Sequence, residues 1–570
     1  MSIDARPTVA QPDEDPYLWL EEIEGARALA WVNEQNARTL RRFNHARCVA
    51  DCDAMAAIFD HADNMPIISR RGVHVYNLWR DAANKRGLWR RTTLESFKAK
   101  QPDWEGLLDL DALARAESKD WQWAGEVTLP GQHELAMLRL SPGGGDAVIM
   151  REFDIARKAF PPGGFVVPLG KGSVKWLDRD HLLVASSAGA EMSTRSGYPR
   201  TVRLWCRGEA FERAQVVFET AAASMWVSML VDRCAPGHRI APRDVLRERV
   251  WFIEELNRFN VNIWLGDRGG ARTKLDLPAD VAVEIRDGWL AVMRRSSWTI
   301  GAATFAPDTI LGISLERFLD GDRNFTVVFE PAARRVLKHF FWRDTFLVIA
   351  VLDDLKPVFE IVEPGPGGWS RTELQGLSGL GTVNVWPLDA CGEEGDGELL
   401  ASVEDTITPP RLMLIERGGA PVVLKKAPRT FSSDGLVMAR HEAISTDGER
   451  IPYVQTGPRD ESGNAPVHLY GYGGFGHTVL PEHSSALGKL WLERGGTAVI
   501  AQIRGGGEFG TRWHEVARHA GRRLAHDDFA AVAQDLVRRG VTRPGRIAAE
   551  GGSNGGLLIT NMMVRYPDRF

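Results

Sequence analysis

The run Ile547-Ala-Ala-Glu-Gly-Gly-Ser553-Asn554-Gly-Gly-Leu-Leu-Ile-Thr-Asn-Met-Met563 reads as a strand, a turn too tight for side chains, and a helix. Gly551, Ser553 and Gly555 satisfy Gly-x-Ser-x-Gly, in which flanking glycines let a strained serine stand proud of a parallel sheet. Gly552 and Gly556 relieve the crowding further. The motif alone is common by chance. Here an apolar segment precedes it and the helix-forming run Leu557–Arg565 follows, which is the context a nucleophilic serine requires. The competing reading is a glycine-rich strand-to-helix turn in which the serine has no chemical role.

Upstream of this elbow the pattern is α/β. A hairpin is expected from Met438–Ala443 and Ile451–Gln455 around the turn Thr446-Asp-Gly-Glu, followed by strands at Val467–Tyr470 and Thr497–Ile503. Helices are expected at Ser485–Arg494 and Asp527–Arg539, which implies a mostly parallel sheet covered on both faces. Asp527 and Asp528 fall at the expected start of the last of these helices and read as caps.

Two glycine clusters, Gly471-Tyr-Gly473-Gly-Phe-Gly476 and Gly505-Gly-Gly507-Glu-Phe-Gly510, both fit Gly-x-Gly-x-x-Gly. A dinucleotide fold needs such glycines to open a helix, whereas Gly476 leads into His-Thr-Val-Leu-Pro481, so no nucleotide cofactor is expected. Acyl transfer at Ser553 needs two hydrogen-bond donors about 3 Å from a tetrahedral oxyanion. The amide of Asn554, following the serine, supplies one, and the Tyr472 hydroxyl, reaching in from the first glycine loop, is the candidate for the other. The alternative for Tyr472 is a core tyrosine in a glycine-rich turn. His514-Glu515-Val-Ala-Arg518-His519 nearly spells a zinc-protease motif, but its second histidine falls at i+5, off the helix face of the first, so no metal is expected.

Between about Gly72 and Lys426 the texture is strand-length apolar runs separated by turn signals, among them Val250-Trp-Phe-Ile, Trp289-Leu-Ala-Val-Met and Phe346-Leu-Val-Ile-Ala-Val. So long a stretch of short strands argues for a β-propeller, with most of the tryptophans packing between strands. Before it, Ala26–Leu40 and Ala46–Ala62 show helical spacing and are expected to pack on another domain, since two helices alone bury too little surface.

Composition narrows the function. The 570 residues carry 70 Lys+Arg against 75 Asp+Glu, a net charge of -5, so no overall basic field draws nucleic acid or an anionic membrane. Cys48, Cys52, Cys206, Cys234 and Cys391 form no paired framework, and Cys48 with Cys52 is read as a pair of buried thiols. Met1–Ala10 lacks the apolar core of a signal peptide and no run of 18 apolar residues follows, so a soluble, cytoplasmic, monomeric protein is expected.

Taken together, the motifs resemble the prolyl oligopeptidase family of serine peptidases. The resemblance is carried by Asp15-Pro-Tyr-Leu-Trp-Leu-Glu with Glu34-Gln-Asn, Gly87-Leu-Trp-Arg-Arg-Thr, Ser196-Gly-Tyr-Pro-Arg and Tyr470-Gly-Tyr-Gly-Gly-Phe. Arg504-Gly-Gly-Gly-Glu-Phe-Gly with Trp513-His, Asp527-Asp-Phe and Gly551-Gly-Ser-Asn-Gly-Gly extend it to the last residues. It implies an α/β-hydrolase domain joined to a seven-bladed β-propeller, with residues 1–71 packing on the hydrolase domain, 72–428 forming the propeller at about 51 residues per blade, and 429–570 forming the first part of the catalytic domain. It implies Ser553 as nucleophile, Tyr472 and Asn554 as oxyanion donors, Phe475 as a wall of the pocket for the residue before the cleaved bond, and short peptides, cleaved after proline, as substrates. Gly-Gly-Ser-Asn-Gly-Gly looks like the prolyl-specific branch, while the basic-specific branch usually has Gly-Arg-Ser-Ala-Gly-Gly. The triad of this fold runs Ser, then Asp or Glu, then His. Because His477, His514, His519 and His526 all precede Ser553, the acid and base are expected beyond Phe570, and residues 1–570 are expected to be an inactive fragment. The alternatives are an oligopeptidase of other specificity or an esterase on the same fold, and a propeller binding module with a dead hydrolase half.

Overall fold

The computed structural model describes residues 15–43, 46–61, 64–232, 249–286, 288–365, 368–377, 379–389, 397–459 and 463–570. It divides into two units, Met1–His61 and Ala62–Phe570. In the first, helices α1 (Ala26–Phe43) and α2 (Ala46–Phe59) follow a short turn in which Trp19 Nε1 donates to the Pro16 carbonyl at 3.0 Å and Arg27 stacks 4.0 Å over the indole. The reading of buried thiols fails here: Cys48 is half-buried and Cys52 is exposed, because the helix that carries them, one turn apart on the same face, buries none of its described side chains. Residues 1–14 and Cys234 and Cys391 lie outside the described residues.

The second unit opens with seven four-stranded sheets, the blades of a β-propeller, at 69–109, 121–170, 172–219, 226–274, 281–329, 335–373 and 382–426. Successive strands within a blade pair antiparallel. The apolar runs are continuous because both faces of each inner strand are covered, each face by a different blade. In the second blade Ala136, Leu138 and Leu140 face the first blade's Tyr76 and Trp89, whereas Leu135 and Met137 face the third blade's Trp176 and Val184. Similarly, in the sixth blade Leu347, Ile349 and Val351 meet the fifth, and Phe346, Val348 and Ala350 meet the seventh. Trp89, Trp121, Trp176 and Trp251 are each fully buried at such seams. A buried side chain of this size contributes about 2–3 kcal/mol over an exposed one.

The ring closes without exchanging a strand. Ile68, Val75 and Phe97 of the first blade pack on Leu388, Leu400 and Leu412 of the seventh. The Arg70 amide donates to the Leu388 carbonyl at 2.8 Å, and the Arg70 guanidinium grips Glu398 with two bonds of 2.7 and 2.9 Å. The planar fork of arginine matches both carboxylate oxygens, which makes this seam directional as well as apolar.

The hydrolase part is a five-stranded sheet. Its strands are β1 (Leu436–Ile444), β2 (Arg450–Pro458), β3 (Val467–Gly471), β4 (Thr497–Ala501) and β5 (Ile547–Glu550), in spatial order β1-β2-β4-β3-β5. β3 pairs parallel with both β4 and β5, while β1 and β2 form the antiparallel hairpin read from the turn. Helices cover both faces: Val499 points to Phe529 and Val532 of α5 (Arg522–Arg538), and Ala498 points to the side packed by Leu487 of α3 (Ser485–Leu490).

The structure corrects the reading of the two aspartates. α5 begins five residues before Asp527, so neither residue caps it, and both are buried. Asp528 accepts from Arg504 Nη2 at 2.6 Å, Arg504 Nε at 2.9 Å and Ser445 Oγ at 2.6 Å, tying α5 to the segments after β1 and β4. Asp527 accepts from the Tyr566 hydroxyl at 2.6 Å and so holds the next helix.

The propeller and the sheet are docked through polar contacts of low exposure. Asp308, in the fifth blade, accepts from the Thr511 amide at 2.7 Å and the Thr511 hydroxyl at 2.6 Å. His514 of helix α4 (Gly510–Glu515) lies 5.2 Å from the Phe259 ring of the fourth blade. These contacts set the propeller against the same glycine loops that border Ser553.

Candidate active site

β5 runs parallel to β3 with Tyr470 opposite Glu550, and the chain then turns through Gly551-Gly552-Ser553 into α6 (Asn554–Arg565). Ser553 sits at the cap of α6 with φ 53° and ψ -116°, a conformation that costs a non-glycine residue about 1–3 kcal/mol. Glycine is required beside it. A Cβ on Gly555 would lie 2.6 Å from the Gly471 carbonyl oxygen, inside any tolerable contact. The turn therefore closes directly on the end of β3 and leaves Ser553 exposed. Asn554, the first residue of α6, presents a main-chain N–H that no carbonyl of its own helix can accept, at the positive end of the helix dipole.

The first glycine loop follows β3 and is fastened to the elbow by two side chains. Asn554 Nδ2 donates to the Tyr472 carbonyl at 2.6 Å. Arg522, on the first turn of α5, donates to the Gly473 carbonyl and, at 3.2 Å, to Asn554 Oδ1. Burial pulls the Arg522 pKa downward, and both of these acceptors are neutral. Tyr472 is half-buried, its ring 5.0 Å from that of His477 in an edge-on contact. Phe475 adopts φ 55° and stays half exposed.

The second glycine loop props the first. A Cβ on Gly505 would lie 2.3 Å from the Gly473 carbonyl oxygen, and the Gly476 amide donates to the Gly505 carbonyl at 3.1 Å. The two clusters that mimic a dinucleotide motif are thus a backbone-to-backbone seam. Glu508, from the same loop, is buried, and one carboxyl oxygen accepts the Val479 amide at 2.9 Å while the other has no hydrogen-bond partner among the described residues. Burial pushes its pKa up to about 8.

The histidines are dispersed. His477 faces Tyr472, and His514 packs on Phe259 while α4 ends at Glu515. His519 therefore lies in a separate short turn and not on the helix of His514. His526 sits 3.0 Å from Arg565 Nη1, and burial together with Arg522 and Arg565 lowers its pKa to about 4. Among the described residues, no group of three His, Cys, Asp or Glu side chains gathers as a metal site.

Of the residues read from the sequence, Ser553, Asn554 and Tyr472 thus belong to one bonded unit, and Phe475 extends the same loop toward the propeller. Arg522 was not legible, because nothing in a run of two arginines before an apolar helix marks one as a clamp on a loop 49 residues upstream.

A family model described as the prolyl oligopeptidase N-terminal beta-propeller domain matches residues 6–237, and one described as the prolyl oligopeptidase family matches 483–570. An uncharacterized peptidase, y4nA, of Sinorhizobium fredii is 32% identical over 100% of this chain and 78% of its own length. The structure of a post-proline cleaving enzyme from Rickettsia typhi superposes with TM-score 0.88 at 26% identity, covering 97% of this chain and 81% of that one. Oligopeptidase B from Trypanosoma brucei, bound to antipain, shares the fold with TM-score 0.80 at 20% identity, over 98% of this chain and 76% of that one. Among the described residues, no helix is long and apolar enough to cross a membrane. With its seven-bladed propeller, its α/β-hydrolase sheet and this identity across its full length, the chain belongs to the prolyl oligopeptidase family.

Proposed function

We propose that this protein is a serine oligopeptidase that hydrolyses short peptides on the carboxyl side of proline through an acyl-enzyme on Ser553. The observation that supports it most is the bond from Asn554 Nδ2 to the Tyr472 carbonyl, which joins the elbow to the loop bearing the phenol. In this reading the Ser553 hydroxyl attacks the scissile carbonyl, and the resulting oxyanion is held by the Asn554 amide and the Tyr472 hydroxyl. The C–N bond then breaks, the amine leaves with a proton, and water hydrolyses the ester. Phe475 forms a wall for the residue before the cleaved bond. The propeller restricts entry to short peptides.

The reading requires a histidine after Ser553 in chain order, and residues 554–570 contain none. The proposal therefore assigns the base and its acid to sequence beyond Phe570, and residues 1–570 alone to near-background turnover, since losing the histidine costs about 10⁶-fold in a serine protease. The protein carrying those residues is the extended chain.

The relatives named above include a post-proline cleaving enzyme and an oligopeptidase B, so an oligopeptidase of different preference is the second reading. Assaying the extended chain on matched proline, arginine and simple ester substrates separates the two. Preference for proline by tenfold or more in kcat/KM supports the first, and preference for arginine or for esters overturns it.

A further inference from the structure

A cavity of about 510 Å³ lies between the propeller and the loop Phe475–Thr478, large enough for one or two residues of a peptide. Its propeller wall carries Arg258 from the fourth blade, Arg295 from the fifth and Lys338 from the sixth. Among the described residues, none of the three forms an ion pair or a side-chain hydrogen bond. Asp308, Glu515 and Asp280 attract Arg295, and Glu255 attracts Arg258, all from beyond ion-pair distance. Both oxygens of Asp308 accept from Thr511, and Glu515 pairs with Arg518 at 2.8 Å. Glu482 lines the cavity and is felt by Lys338, but lies beyond ion-pair distance. His339, beside Lys338, has its pKa lowered to about 4 by burial and by that lysine and adds no charge at neutral pH. Three cations and one carboxylate thus line the cavity in a protein whose net charge is -5.

We propose that Arg258, Arg295 and Lys338 form a subsite for a carboxylate on the bound peptide, so that the substrates are anionic short peptides. The reason is energetic. Arg295, stacked 4.6 Å over the Phe259 ring, and Lys338 are half-buried, and removal from water disfavours a charge that has no carboxylate within ion-pair distance. Burial lowers the pKa of both, and an incoming carboxylate supplies a partner in direct contact. The cavity wall includes Phe475, Gly476 and His477, and His477 touches Tyr472, so a peptide reacting at Ser553 has this subsite in reach along one loop. The inference deepens the peptidase reading and rests on it for the word substrate. The carboxylate is either the peptide's C-terminus, which would measure substrate length, or an acidic side chain.

Binding tests it without turnover. Residues 1–570 are titrated into fluorescein-labelled heptapeptides containing one proline, in two matched pairs: a free C-terminus against a C-terminal amide, and an internal Glu against Gln. The charged member of at least one pair is expected to bind about tenfold more tightly, and the pair that splits identifies the carboxylate. That difference should shrink at least threefold in Lys338→Gln and in Arg258→Gln, the latter at an exposed position where folding is not in question, and should fall as salt rises. Equal affinity within both pairs, no measurable binding of any peptide, or a charge preference that survives Arg295→Gln with Lys338→Gln would overturn the subsite. Fluorophosphonate labelling of Ser553 in the unmutated extended chain reports the peptidase reading separately. Labelling without charge discrimination removes the subsite alone, and discrimination without labelling removes the peptidase reading alone.

Discussion

The side-chain amide of Asn554 donates to the main-chain carbonyl of Tyr472 across 2.6 Å, so the residue that follows the strained serine also fixes the loop carrying the phenol. Two parts of one proposed oxyanion site, far apart in sequence, are thereby held at a single spacing. Arg522 doubles the connection through Gly473 and Asn554 Oδ1.

In the extended chain, Tyr472→Phe is expected to lower kcat by about 10²–10³-fold, the loss typical of one oxyanion donor. Asn554→Ala keeps its main-chain N–H but frees the loop, and is expected to cost about 1–3 kcal/mol of transition-state stabilisation. Since both act on one loop, the double variant should lose less than the sum in kcat/KM. Strict additivity would mean that the Asn554 bond does not position the phenol.

Gly555→Ala forces a methyl group to 2.6 Å from the Gly471 carbonyl oxygen. The elbow must open or β3 must shift, at a cost of about 1–3 kcal/mol typical of overpacking. Urea unfolding of residues 1–570 measures it, with Gly552→Ala as control, because a Cβ there meets nothing within 4 Å.

Arg504→Met leaves Asp528 fully buried without its cation. Breaking a buried pair from one side costs about 3–5 kcal/mol, so this variant is expected to lose most of its hydrolase stability. Replacing Asp528 by Asn as well should recover part of the loss, and a thermal melt reads both.

Glu508 gives a pH dependence of defined sign. Its folded pKa, about 8, exceeds the ordinary 4.5 because burial disfavours the charged form. Between about pH 4.5 and about 8 the folded state keeps a proton that the unfolded chain has released, so stability is greatest below that window and falls as pH rises through it. Glu508→Gln removes this contribution. The fall in Tm from pH 5 to pH 8 should be smaller in the variant than in the parent chain.

What the sequence made legible was what depends on local backbone demands. Gly551, Ser553 and Gly555 mark the elbow because the turn itself excludes side chains, and the strand-length apolar runs mark the blades because both faces of each inner strand are covered. What it hid depends on tertiary partners. Asp527 and Asp528 resemble caps until Arg504 and Tyr566 arrive from other elements. Arg258, Arg295 and Lys338 are scattered along three blades, and no spacing predicts their convergence on one cavity. The two glycine clusters resembled a nucleotide motif because the same freedom that lets a backbone approach a phosphate lets Gly473 and Gly505 approach each other.

The central claim is that Ser553 is the nucleophile. Incubating the extended chain with a fluorophosphonate and mapping the adduct by peptide mass spectrometry tests it directly. One stoichiometric adduct is expected on Ser553, absent from Ser553→Ala and slowed in Tyr472→Phe. A folded, extended chain that takes no label, or takes it at another serine, would contradict the account.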